Sequence, residues 1–290
     1  MVTRVLVTGA GGQLGHDVVE YATRSTGNDV IGLTHRDLDV ADRHQVRSVV
    51  PELRPDVIVH AAAWTDVDGC EMDPDRAFAV NALGTRHLAE VARLLGAHLA
   101  FVSTDYVFDG EATRAYAEWD VPRPLGVYGA SKLAGERELD PSFTIVRTSW
   151  LSGVAGRNIV STVLGLARQS DRILRFVDDQ KGCPTFTEDL APALWRLALD
   201  RRPGIFHVTN QGDTTWYGFV KAILEEAGHS PDRVQPIATS ELDPPRPAPR
   251  PTNSVLDNAA LRLGGEPLLP HWRDGLARLV RACHRSEQAE

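Results

Sequence analysis

An α/β fold, with a doubly wound parallel sheet and a smaller C-terminal lobe beside it, is what this sequence predicts. Three observations carry that expectation. Short β-branched runs alternate with segments of helical spacing through roughly the first half of the chain. The first run, RVLVTGA (4–10), opens directly into a cluster of glycines. After Trp150 the alternation loosens and a proline-dense stretch follows.

Taken in order, RVLVTGA reads as a strand, QLGHDVVEYATR (13–24) as a helix and NDVIGLT (28–34) as a strand. RHQVRSVVPEL (43–53) is helical, DVIVHAAA (56–63) a buried strand, and 75–96 one long helix leading to the strand HLAFVST (98–104). A helix carrying GVYGASKLAGE (126–136) precedes the strand FTIVRTSW (143–150). Continuous apolar strands separated by helices mean parallel pairing with crossover helices on both faces. Further on, 157–169 reads as helix and 173–179 as strand. Helices follow at 187–199, with Thr187 as its cap, and at 216–228, and an amphipathic helix near 273–284 closes the chain. DPPRPAPRPT (243–252) excludes helix and central strand, and by composition alone suits a linker or tail.

The 290 residues are 42% hydrophobic and 24% charged, which suits a globular chain with a substantial core. No run approaches the roughly 20 apolar residues of a membrane span. The sequence enters its first strand without a charged-then-apolar leader, so a cytoplasmic location is expected. Cys70, Cys183 and Cys283 are scattered and suggest neither a disulfide framework nor a zinc site. The histidines show no paired-ligand spacing, and no metal site is expected. A net charge of −8 without a basic block argues against nucleic acid as a partner, though not against a small anionic ligand.

Gly9, Gly12 and Gly15 follow a strand and precede a helix, the context in which a glycine loop brings backbone amides up to a pyrophosphate. A glycine turn without a ligand is the competing reading, and the strand–loop–helix context favours a nucleotide. At the end of the second strand His35–Arg36 lean towards the 2′-phosphate of NADP, while Asp37 and Asp39 keep NAD open.

Tyr128 and Lys132 lie four apart, on one face of a helix, a spacing common in itself. Together with the glycine loop they accompany HAAAWTDVDGCE (60–71), AVNALGT (79–85), VSTDYVFDG (102–110), RTSWL (147–151), DDQKGCPT (178–185) and RPAPRPTNSVL (246–256). The set resembles the dTDP-4-dehydrorhamnose reductase family of the extended short-chain dehydrogenase/reductase superfamily, over nearly the whole chain. The resemblance implies a Rossmann-type dinucleotide-binding domain at 1–150. It implies a mainly substrate-binding lobe at 151–290, with some segments returning to the sheet, and it draws the proline-rich segment into that lobe. It also implies reduction of the 4-keto group of a dTDP-deoxysugar with NADPH, NADH being possible.

On this basis Tyr128 is the expected general acid, Lys132 lowers its pKa and holds the nicotinamide ribose, and Thr104 donates to the same ketone oxygen. The expected cofactor set is Gly9, Gly12, Gln13, Leu14, Gly15, Arg36, Asp39, Val40, Ala61, Ala62, Ala63, Asn81, Tyr128 and Lys132. Ala61–Ala63 equally suit helix–sheet packing, and Asn81 either caps a local bend or organises a water near Lys132. The sugar nucleotide is assigned Val67, Thr104, Asp105, Tyr106 and Trp150, with Arg246 and Arg250 for its diphosphate. A large core aromatic is the competing reading of Trp150, and solvated surface charge that of the arginines.

Other readings remain: a reductase of a different dTDP-4-keto-6-deoxyhexose, or a non-catalytic NADP-binding regulatory subunit. A dehydratase is disfavoured, because Tyr106 stands where that group carries a glutamate. A monomer or homodimer is expected. The family's dimer can be bridged by a metal between glutamates, and Asp17 and Glu188 are only loose candidates for such a set.

Overall fold

The computed structural model describes residues 2–25, 27–169 and 173–288. Its central sheet holds six parallel strands: β1 (Arg4–Thr8), β2 (Asp29–Leu33), β3 (Val57–His60), β4 (His98–Thr104), β5 (Thr144–Thr148) and β6 (Gly204–His207). Their spatial order is β6-β5-β4-β3-β1-β2. β1 pairs with β2 on one side and β3 on the other, Val5 lying beside both Val30 and Val57. The strand order therefore reverses beside β1, and a crevice opens at the carboxyl ends there.

Side chains alternate across the sheet, which is why the strands read as continuous apolar runs. Val5, Val7, Val57 and Val59 face helices α1 (Gln13–Ser25) and the later Thr187–Leu199. Leu6, Ile58 and Leu99 face the opposite layer, built from α2 (Arg43–Leu53) and the helix Gly84–Leu95. Numbered in chain order, the remaining helices are α3 (Val67–Met72), α4 (Pro74–Phe78), α5 (Gly84–Leu95), α6 (Val127–Arg137) and α7 (Ile159–Gln169). They continue with α8 (Thr187–Leu199), α9 (Trp216–Glu226), α10 (Ala259–Leu263) and α11 (Trp272–Gln288).

The single helix expected over 75–96 is instead α4, a π-turn at Ala79–Leu83 and α5. The widened turn places Asn81, whose side chain bonds the Trp64 backbone in both directions. Thr187 does not cap α8. Phe186 holds the cap position without a side-chain bond, and the Thr187 hydroxyl donates to Asp17 of α1 instead. β6 lies in a stretch the hydrophobic pattern leaves unassigned, and it extends the sheet beyond β5.

A second core forms where α7, α9 and α11 meet, with Val160, Leu164, Phe219, Ile223, Trp272 and Leu276 buried together. Beside it, strands Leu174–Val177 and Val234–Ile237 pair in parallel. Residues 243–252 form no helix or strand apart from the single-residue pairings that follow them. They are held against α3, where Arg246 and Arg250 both bond Asp68. Among the described residues no helix is long and apolar enough to cross a membrane.

Candidate active site

The glycine loop works by having no side chains. Gly9 has φ 73°, and a Cβ there would fall 2.6 Å from the Ala62 nitrogen, so the turns after β1 and β3 touch backbone to backbone. A Cβ on Gly15 would overlap the Gly9 carbonyl, which lets the first turn of α1 pack directly beneath the loop. Gly12 donates to that same carbonyl at 2.9 Å.

Two hollows meet over this loop. One, about 670 Å³, is lined by Thr34, Arg36, Asp39, Val40 and the Ala61–Ala63 turn. Asp37 does not line it: its carboxylate accepts from the Thr34 amide and hydroxyl, at 2.9 and 2.7 Å, and these bonds hold its pKa down. The other cleft, about 360 Å³, runs from Gly9, Gly12, Gln13, Leu14 and Gly15 past Val67 to Thr104, Asp105, Tyr106, Tyr128, Lys132 and Trp150. The fold thus brings together all the expected sugar and catalytic positions except the two arginines. Asn81 also lines neither hollow. It is buried beneath them, tying Trp64 to Ser131 of α6 with a 3.0 Å bond.

The small residues of GVYGASKLAGE explain how α6 comes so close. A Cβ on Gly129 would overlap the Tyr106 carbonyl, and one on Gly135 would fall 2.5 Å from the Asn81 carbonyl. Tyr128 therefore stands edge-on to Tyr106, ring centroids 5.9 Å apart. Burial pushes the Tyr128 phenol above its ordinary value, and Asp105 adds to this, while the neighbouring Thr104 hydroxyl partly offsets it. Lys132 is itself buried, which pushes its amine down to about 7, with Glu136 opposing. Its Nζ donates to the Val102 carbonyl at 2.6 Å and sits 4.0 Å over the Phe101 ring. Burial is thus the largest influence on the phenol in this structure, and the Lys132 Nζ is turned to a backbone carbonyl.

Asp105 is a second buried acid. Burial lifts its pKa to about 7, partly offset by the Ser254 and Thr104 hydroxyls; it accepts from Thr104 at 3.0 Å, while the nearby Ser254 hydroxyl donates to the Lys181 carbonyl. Behind Lys132, Arg147 grips Glu136 through Nε and Nη2 at 2.8 and 2.6 Å, and the Ser103 hydroxyl donates to the same carboxylate at 2.6 Å.

Arg246 and Arg250 do not line the cleft, although Arg250 adjoins Tyr106, which does. Both turn to Asp68, Arg250 at 3.0 and 2.8 Å and Arg246 at 3.1 Å, and Asp68 drops to about 2 under those bonds, against the opposing effect of burial. Thr65 and Trp216 line the cleft without having been singled out in the sequence. For Trp216 the local signal is only the start of a helix. Asp17 and Glu188 line a separate hollow: Asp17 accepts from Thr187 and Glu188 from Arg278. His16, Asp17 and Glu20 cluster there, with Glu20 paired to Arg24 at 2.7 Å and His16 to Asp17 at 3.0 Å.

Residues 3–285 match the family described as the RmlD substrate binding domain. The chain is 40% identical to a dTDP-4-dehydrorhamnose reductase of Mycobacterium tuberculosis (strain ATCC 25618 / H37Rv), over 96% of this chain and 93% of that protein. It is also 40% identical to a dTDP-4-keto-6-deoxy-D-glucose reductase of Streptomyces niveus, over 95% and 96% of the two chains. Among solved structures, a dTDP-4-dehydrorhamnose reductase from Bacillus anthracis str. Ames in complex with NADP superposes with a TM-score of 0.91 at 38% identity, covering 96% of this chain and 99% of that one.

Proposed function

Since this chain belongs to the dTDP-4-dehydrorhamnose reductase family, we propose that it reduces the 4-keto group of dTDP-4-dehydro-L-rhamnose to give dTDP-L-rhamnose. The observation that carries this reading is the continuity of one cleft from the glycine loop to Thr104, Tyr128 and Lys132. NADPH, when bound, supplies the hydride. The cradle fits a dinucleotide because added Cβ atoms at Gly9 and Gly15 would occupy its backbone contacts. Arg36 lines the adenosine-side hollow while Asp37 is turned to Thr34, an arrangement that suits a 2′-phosphate.

Tyr128 holds its proton until alkoxide charge develops on the ketone oxygen, then transfers it there. The Thr104 hydroxyl, beside the phenol, turns from Asp105 to donate to the same oxygen and fixes its direction. Lys132 holds the nicotinamide ribose, with Asn81 bracing the wall of the cleft from below. Val67, Asp105, Tyr106 and Trp150 take the sugar. Of the two arginines, Arg250, which bonds Asp68 and adjoins Tyr106, is the one assigned to the diphosphate, and Arg246 is not. Residues 1–150 serve the cofactor and 151–290 mainly the sugar nucleotide, in a cytoplasmic enzyme acting as a monomer or homodimer.

Turnover of dTDP-4-dehydro-L-rhamnose with NADPH and with NADH tests the reading, using wild type and Tyr128→Phe. Wild type should form dTDP-L-rhamnose, faster with NADPH. Tyr128→Phe should lose about 10²–10⁴-fold in kcat while still binding NADPH. Wild type that binds NADPH but leaves this sugar unreduced overturns the substrate assignment. The Streptomyces niveus relative then favours another dTDP-4-keto-6-deoxyhexose.

A further inference from the structure

Two indoles line the cleft that holds Thr104 and Tyr128. Trp150 leaves β5 with φ 46°, a left-handed conformation that is an outlier for a bulky side chain and persists only where its surroundings over-determine it. The surroundings can be named. The Trp150 carbonyl accepts from the Thr185 amide at 3.3 Å, and the neighbouring Ser149 hydroxyl donates to the Cys183 carbonyl at 2.6 Å. The indole lies so close to Gly182 that a Cβ there would fall 2.5 Å from Cε2.

The remaining support is Trp216, stacked on Trp150 with centroids 3.7 Å apart and planes 9° from parallel. Trp216 begins α9, and its place is fixed by Thr215. That hydroxyl accepts from the Gly218 amide at 3.0 Å and donates to Asp178 at 2.6 Å. Thr214–Thr215 also pairs antiparallel with Lys181–Gly182, so one small patch carries both groups that press on the Trp150 indole. Both indoles pack against the second core, Trp150 arriving from the end of β5 and Trp216 from the start of α9. The stack therefore ties the end of the sheet to that core.

We propose that Trp216 is a positioning residue that sets the grip on the sugar, holding the Trp150 indole as an apolar wall for the deoxyhexose ring. This rests on the function proposed above. An aromatic face suits the C–H-rich side of a sugar, and a 6-deoxy ring presents more apolar surface than one with a full set of hydroxyls. Without Trp216 the strained Trp150 backbone loses its stacking partner, and the wall loses its fixed plane.

Trp216→Leu and Trp216→Phe test this alongside wild type. The readouts are KM and kcat for dTDP-4-dehydro-L-rhamnose, NADPH affinity by fluorescence titration, and dTDP-L-rhamnose affinity by calorimetry with NADP⁺ present. Leu keeps apolar volume but removes the stack, so KM for the sugar should rise about tenfold while NADPH affinity stays within about twofold. Phe should recover most of the loss. A Leu variant whose sugar KM and product affinity stay within about twofold of wild type overturns the proposal. Equal losses in NADPH and sugar binding overturn it too, as damage to the fold. If wild type neither reduces nor binds the sugar nucleotide, the functional reading falls and takes the proposal with it. An active wild type beside an indifferent Leu variant removes the Trp216 proposal alone.

Discussion

The two ends of the cleft are built on opposite principles. Around the glycine loop the structure depends on side chains that are missing, since the contacts of Gly9 and Gly15 leave no room for a single Cβ. Around α6 and the ends of β4 and β5 it depends on polar groups that are present and buried: Lys132, Asp105, Glu136, Arg147 and His60. The first kind of construction is cheap and local. In the second, each buried charge or dipole costs several kcal/mol of lost hydration unless a partner meets it. Arg147 and Glu136 meet each other in bidentate fashion, whereas Asp105, a residue of the cleft wall, has one buried oxygen that meets no hydrogen-bonding geometry. A scaffold can fix a cofactor with backbone alone, but positioning a proton donor takes a paid-for interior.

Removing one partner from the buried pair should break the second region hardest. Arg147→Met strips the buried Glu136 carboxylate of its bidentate partner, leaving only the Ser103 hydroxyl and the more distant Lys132, and should cost about 3–5 kcal/mol of unfolding free energy. Urea denaturation measures it. Arg147→Met combined with Glu136→Leu should recover much of that loss, because the pair is then replaced by apolar volume. If the double variant is no more stable than the single one, the network serves more than mutual neutralisation.

In the first region the matching experiment is Gly15→Ala. Its Cβ must displace the Gly9 carbonyl, so the loop shifts away from the position that receives a pyrophosphate. NADPH should bind about 30-fold more weakly, roughly 2 kcal/mol, in a fluorescence titration. Sugar-nucleotide affinity should change less, and equal losses of both would mean that the two ends of the cleft are not separately built.

The same contrast decides what the sequence discloses. The glycine loop, the Tyr128–Lys132 pair and the strand end at Thr104 are legible because their signals lie within a few residues. The alternation of strands and helices likewise gives the sheet, except for β6, whose GIFH has only two apolar residues between Gly204 and His207 where the equally short β3 has three in VIVH. The pull of Asp68 on Arg250 spans 182 residues, and a proline-rich segment with two arginines shows nothing of the carboxylate facing it. Trp216 is hidden for the same reason: its stacking partner lies in another part of the chain. The balance at Tyr128 is hidden too, since burial and the turning of the Lys132 Nζ to a carbonyl are set by the packing around α6 and leave no mark in the local pattern.

The smallest effect tests the buried polar region through its protons. Burial lowers His60 and His207 to about 3 and His98 to about 4, so each stays neutral in the folded chain where the unfolded chain would protonate it. Between roughly pH 4 and 6.5 the unfolded state therefore binds more protons at these three sites, and stability falls as pH falls. Asp105 works in the opposite direction: raised to about 7, it is protonated in the folded chain through the same window and favours folding as pH falls. The balance leaves a net acid destabilisation, with each histidine contributing at most about 1.4 kcal/mol per pH unit. His60 bonds Thr8 at 2.8 Å and Thr85 at 3.2 Å through its two ring nitrogens. Replacing it with Gln, which does not titrate, should make the dependence of urea stability on pH shallower by up to that amount. Asp105→Asn should make it steeper by a similar step. Parallel curves for wild type and both variants would mean that the acid sensitivity lies elsewhere in the molecule.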